Sequence, residues 1–229
     1  MFLADKYIVH SENNKEILCK SFGISEKKVK IVPHGIVIPK TIKGITKEEA
    51  RTSFGINKDS KVVLFFGNIR EYKGLDTLIK AFNELEIKDK KLMIAGKCWE
   101  NKSKYESLLN KNIQFNDQFI PDDEIEKYFV ASDIVVLPYR HFESASGVGG
   151  LALPFHRPII VSNVGSLPDL VKDKCCIFQP DNTSELKEKM QSILTNKKKY
   201  EKLVDDSRQK EKEFSYEQIV KKTIEAYEE

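Results

Sequence analysis

The stretch Asp133–Gly165 reads DIVVLPYRHFESASGVGGLALPFHRPIIVSNVG, and its pattern decides the fold. Val135, Val136 and Leu137 form a short apolar run of buried-strand type. Glu143, Ser144 and Ser146 then place polar groups at the mouth of a helix, and Gly147, Gly149 and Gly150 let backbone approach whatever sits there. Pro158–Ser162 is a second strand, followed by a turn at Gly165. In a parallel α/β sheet such a mouth lies at the carboxyl ends of the strands, where ligands bind. Free N–H groups and a positive dipole end at a helix start suit a phosphate. The segment therefore predicts a phosphate-bearing ligand beside one carboxylate.

Working outward, the same alternation recurs. Strands are predicted at 61–67, 91–96, 113–117, 134–137, 158–162 and near 175–178. Helices are predicted at 75–85, 101–110, 122–131, 148–155 and near 166–171. Such a series implies right-handed βαβ units and a doubly wound α/β domain with a parallel sheet. Upstream lie a strand at 7–10, a helix capped by Ser11 and stopped by Gly23, and a strand at 29–32. Residues 36–45 read as a crossing linker. Thr46 and Glu49 form a capping box for a short helix. Residues 1–35 resemble the tail of another domain, 36–195 form the main domain, and 196–229 are C-terminal amphipathic helices. Leu186, Met190, Ile193 and Leu194 recur at helical spacing, as do Val220, Ile224 and Tyr227.

The 229 residues are 40% hydrophobic and 32% charged, with a net charge of +3. Basic and acidic residues are interleaved, so there is no nucleic-acid footprint. The small positive charge leaves room for peripheral contact with an anionic membrane surface. No apolar run is long enough to span a bilayer. Cys19, Cys98, Cys175 and Cys176 show no metal spacing and read as reduced thiols of a cytoplasmic protein. No metal site is expected.

A second candidate site is FFGNIREYKGLD, residues 65–76. A buried strand ends at Gly67, followed by Asn68, and the loop carries Arg70 and Lys73. Two cations beside a helix start suit a diphosphate, Arg as a planar fork and Lys as a point charge. Charge alone would make them surface cations, but the position after a first strand favours the site. Glu143 reads equally as a sugar-binding acid or as a dipole-favoured helix acid. Phe119 and Ile120, after a strand, read as a base-binding backbone edge or as a plain turn. His34 in VPHGI is given a minor, structural role.

Taken in order, KIVPHGI, FFGNIREYKGLDTLIKAF, DIVVLPY and ESASGVGGLALPFHRPIIVSNVGSLPDLV resemble the C-terminal, donor-binding domain of a GT-B glycosyltransferase of family 4. The resemblance covers about residues 7–195. It implies a Rossmann-like domain, half of a two-domain enzyme, and sugar transfer from a nucleotide-sugar donor (UDP-, GDP- or ADP-linked) with retention and no metal. It assigns Arg70 and Lys73 to the diphosphate and Glu143 to the donor sugar as the catalytic set. Gly67, Asn68, Phe119, Ile120, Ser146, Gly147, Val148 and Leu151 then line the nucleotide. Two positions depart from the family pattern. Asn68 stands where the Arg usually follows the strand-end glycine, so Arg70 substitutes. Leu151 stands where a second, ribose-binding Glu is expected. The resemblance also implies a separate N-terminal acceptor domain as partner, without which transfer does not proceed. The alternative class is a non-catalytic subunit, or truncated GT-B domain, that acts by association.

Overall fold

Burial on both faces turns the apolar runs into strands. In the computed structural model, which describes residues 4–36, 38–39, 41–142 and 145–228, strand β3 (Lys61–Phe66) is solvent-shielded from Val62 onward. Val62, Leu64 and Phe66 face one core and Val63 and Phe65 the other, as the two-residue period of a strand requires. Its neighbours are β4 (Lys90–Ala95), β5 (Ile113–Asn116), β6 (Ile134–Leu137), β7 (Ile159–Ser162) and β8 (Ile177–Phe178). All pairings are parallel, in the order β5-β4-β3-β6-β7-β8. The sheet therefore starts in its middle, winds out to β5, and returns through β6 to the other edge. This is the doubly wound order whose switch point lies between the first and fourth strands, here β3 and β6.

Helices cover both faces. On the Val62 face lie α2 (Lys47–Ser53), α5 (Asp122–Ala131) and α6 (Gly147–Ala152), contributing Ala50, Ile125, Phe129 and Leu151. On the Val63 face lie α3 (Leu75–Asn83) and α7 (Thr183–Thr195), contributing Leu78, Ile79, Phe82, Leu186, Met190 and Ile193. Helix α8 (Lys197–Glu213) adds Leu203 to that second core, and α9 (Tyr216–Glu228) follows. At the other end of the chain, β1 (Tyr7–Val9) and β2 (Val29–Ile31) make a separate two-stranded parallel sheet flanked by α1 (Glu12–Phe22). Ser11 and Gly23 cap α1 as expected, and the Thr46–Glu49 capping box forms in full. No residue of α1 is buried, and Ile17 and Phe22 stand exposed.

Several predicted elements shift. The short helix expected near 166–171 is a 3-10 turn at Leu167–Leu170, with Pro168 in its first turn. The helix expected over 101–110 shrinks to α4 (Ser103–Glu106), because Asn101 and Asn110 side chains accept the backbone N–H groups of Ser103 and Asn112. The helix expected at 148–155 begins one residue earlier and tightens to a 3-10 turn at Leu153–Phe155, where Pro154 supplies no N–H. Residues Lys174–Cys176 form a 3-10 turn rather than strand, since Asp173 accepts from the Cys175 N–H.

The amino end of β6 is fastened by Asp133. Its carboxylate accepts from Arg51 Nη2 at 2.9 Å and from the Val62 N–H at 2.7 Å, and Lys47 reaches its other oxygen. Arg51 is 3% exposed. Asp133→Ala leaves that guanidinium buried without its counter-charge, so we expect a loss of about 3–5 kcal/mol in urea unfolding. A loss within ordinary surface values would show that the cluster does not hold the strand.

Candidate functional site

The carboxyl ends of β3 and β6 meet at the switch point, and both sequence-predicted segments arrive there. From β3 the chain turns at Gly67 with φ +97°, and a Cβ there would lie 2.8 Å from Val148 Cγ2. Only a residue without a side chain lets α6 approach this closely. Gly74, with φ +62°, is as constrained: a Cβ would meet the Pro138 carbonyl oxygen at 2.1 Å. The loop between these glycines is thus pressed onto the end of β6, and Arg140 N–H donates to Tyr72 O at 2.7 Å.

Lys73 is 6% exposed. Its ammonium lies 5.3 Å from the centre of the Tyr139 ring. Tyr139 is itself buried among Tyr72 and Phe142, with ring centres 5.8 and 5.2 Å away. This aromatic floor desolvates the cation, and burial, followed by repulsion from Arg70, brings its pKa down to about 8. Arg70 is exposed and its guanidinium lies 5.5 Å from the centre of the Trp99 ring. Among the described residues, no carboxylate pairs with Arg70 or Lys73. Two cations at one mouth with no carboxylate partner among the described residues suit an anion.

Helix α6 supplies the opposite wall. Ser146 Oγ accepts from the Gly149 N–H at 3.1 Å and lies 3.4 Å from the Tyr139 hydroxyl. The Gly147 and Val148 N–H groups belong to the first turn and have no intrahelical partner. Asn68 Oδ1 accepts from Trp99 Nε1 at 3.2 Å. Phe119 stands 77% exposed in the loop after β5, whereas Ile120 is buried in the first core. Leu151 is also a core residue, 8% exposed, and offers no polar atom to a ligand. Glu143 lies outside the described residues. The switch point therefore unites Gly67, Asn68, Arg70, Lys73, Ser146, Gly147 and Val148.

Two site residues escaped the sequence reading. Trp99 is the only tryptophan of the chain, and its position after a strand was the available signal. Arg140 had no signal. Its guanidinium grips both oxygens of Asp76 at 2.8 and 2.7 Å, Asp181 at 2.8 Å and the Glu71 carbonyl at 2.8 Å. With its donors committed, Arg140 braces the Lys73 loop. His34 sits in the crossing segment, its Nδ1 3.2 Å from the Gly35 carbonyl. Among the described residues no group of histidine, cysteine or acidic side chains could hold a metal ion, and no helix is long and apolar enough to cross a membrane.

This sheet order defines a Rossmann-like domain, the kind found in GT-B enzymes. The same fold is found in HepE of Anabaena in complex with UDP, at TM-score 0.83 and 16% identity, over 98% of this chain and 64% of that one. It is also found in the C-terminal domain of a group 1 glycosyl transferase, LpcC, of Francisella tularensis, at TM-score 0.58 and 18% identity, over 73% of this chain and 96% of that one. Residues 46–210 match the family model for glycosyl transferases group 1, and the chain belongs to that family. An uncharacterized glycosyltransferase of Methanocaldococcus jannaschii, MJ1607, is 28% identical over 96% of this chain and 59% of its own length. The chain spans a little over half the length of such curated relatives.

Proposed function

We propose that this chain is the C-terminal, donor-binding domain of a retaining, family 4 type glycosyltransferase, and that its switch-point mouth holds the diphosphate of a nucleotide sugar. One observation carries this: Arg70 and Lys73 converge at the end of the first strand of the doubly wound sheet with no carboxylate partner among the described residues. A buried cation such as Lys73 exists at a cost, and a diphosphate offsets it. In transfer they stabilise the charge that grows on the leaving diphosphate, which is the main way a site of fixed cations speeds such a reaction. The first-turn N–H groups at Gly147 and Val148 hold the distal phosphate. Glu143 contacts the donor sugar, and the Phe119–Ile120 backbone borders the base. A uridine nucleotide is the first donor to test, since the HepE neighbour is described in complexes with UDP and with UDP-glucose.

A second domain completes the enzyme. Ile8, Ile17 and Phe22 near one terminus, with Val220, Ile224 and Tyr227 on α9, are large apolar side chains left exposed. Covering them requires a partner surface, which suits an acceptor-binding domain. The chain alone then binds donor without transferring sugar, and peripheral membrane contact belongs to the complete enzyme. The buried Leu151, in place of a ribose-binding acid, favours the second class, a subunit that binds by association.

Calorimetry with UDP, GDP and ADP tests the site. We expect one of them to bind and Arg70→Ala to weaken it about tenfold, the value of a charge-assisted hydrogen bond. Binding by none of the three sinks the donor-site proposal.

A further inference from the structure

We infer that Trp99 is a positioning residue of the diphosphate site, its indole presenting the Arg70 guanidinium at the switch-point mouth; the inference rests on the nucleotide-sugar proposal above. Trp99 is 60% exposed, an unfavourable place for the largest apolar side chain, yet its ring is engaged twice. One face carries Arg70, with Cζ 5.5 Å from the ring centre, and Nε1 donates to Asn68 Oδ1 at 3.2 Å. The backbone beneath is fixed as well. Ile69 and Cys98 form an isolated parallel bridge beyond the ends of β3 and β4, with Trp99 N–H to Ile69 O at 3.0 Å and Ile69 N–H to Lys97 O at 2.8 Å. The Cys98 N–H in turn donates to Asp117 at 2.8 Å, which ties the loop after β4 to the one after β5.

The chemistry explains why an aromatic ring is suited to this place. Arg70 must be held near Lys73, although the two repel. A carboxylate partner would hold it but would cancel the charge that a diphosphate needs. A ring face holds a guanidinium by cation–π attraction and leaves its edge N–H groups, and its full charge, for a ligand in the guanidinium plane. The stack also limits the rotamers of a long, exposed side chain before the ligand arrives, which reduces the ordering lost on binding.

Two measurements on the 229-residue chain test this. First, the emission of the only tryptophan is recorded without ligand in wild type and Arg70→Ala. We expect a clear change in intensity or wavelength, and identical spectra overturn the stack. Second, calorimetry with the diphosphate that wild type binds among UDP, GDP and ADP is run on Trp99→Leu, Arg70→Ala and the double variant. Trp99→Leu is expected to weaken binding about two- to fivefold, the value of an exposed cation–π contact. The double variant is expected to bind no more weakly than Arg70→Ala, because Trp99 acts only through Arg70. Trp99→Phe, which keeps a ring face, is expected to stay within about twofold of wild type. Losses that multiply in the double variant, or a Trp99→Phe as weak as Trp99→Leu, overturn the inference alone. A wild type that binds none of the three nucleotides overturns the donor-site proposal together with it.

Discussion

Lys73→Met is expected to weaken diphosphate binding about ten- to hundredfold, as loss of a charged hydrogen-bond donor does. The same change is expected to make the unliganded protein more stable at pH 7. The ammonium sits on an aromatic floor at 6% exposure, and burial first, then Arg70, holds its pKa near 8 against 10.5 for a free lysine. Between those values the unfolded chain binds more protons than the folded one, so wild-type stability rises as pH climbs from about 8 to about 10.5. Below pH 8 the full penalty for a buried charge is present. Methionine removes that penalty while filling a similar volume, a gain of about 1–3 kcal/mol. Urea midpoints at pH 7, 8, 9 and 10 read this directly, and the two proteins should converge toward the upper end of the range. Binding has the opposite dependence. A diphosphate prefers the protonated lysine, so wild-type affinity should fall as pH passes about 8, and Lys73→Met should lack that fall. A variant that is less stable at pH 7, with a stability profile parallel to wild type, would show that the lysine is not a strained functional cation.

The trade between stability and binding marks where sequence legibility ends. The central strands of the large sheet were readable because they are shielded on both faces, so KVVLFF and IVVL appear as nearly unbroken apolar runs. The caps at Ser11, Gly23 and Thr46 were readable because capping is local. The two halves of the mouth were readable separately, from glycines and polar residues at strand ends. Their meeting was not, since the pairing of β3 with β6 brings together segments some 70 residues apart. Long-range side-chain contacts were hidden for the same reason. Trp99 meets Asn68 across 31 positions, Arg140 meets Asp76 across 64, and Asp133 meets Arg51 across 82. The helix predicted over 101–110 failed differently: its asparagines compete locally with the helix for backbone N–H groups, a tendency that apolar spacing does not register.

Leu151→Glu restores the acid that the family pattern places at this position, and it is expected to destabilise the chain by about 2–4 kcal/mol at pH 7. Leu151 lies three residues beyond Val148, whose Cγ2 meets the Gly67 turn, so it shares that side of α6, but its side chain is packed into the first core. A carboxylate there loses its hydration on entering the first core. Burial would raise the pKa of the new acid above its unfolded value. The destabilisation should therefore be smallest near pH 4, where the folded state is protonated and the unfolded one largely so, and grow as pH rises through the carboxylate range. Thermal unfolding from pH 4 to 8, with and without UDP, separates the two roles this position can have. A core role gives the pH-dependent loss and no extra stabilisation by nucleotide. Unchanged stability with tighter UDP binding would instead place the side chain at the ribose, and would mean that α6 turns this face toward the ligand when the site is filled. In that case Leu151 would be a substitution that lowers donor affinity at no structural benefit, and the Arg70–Lys73 pair would carry most of the donor binding in the native chain.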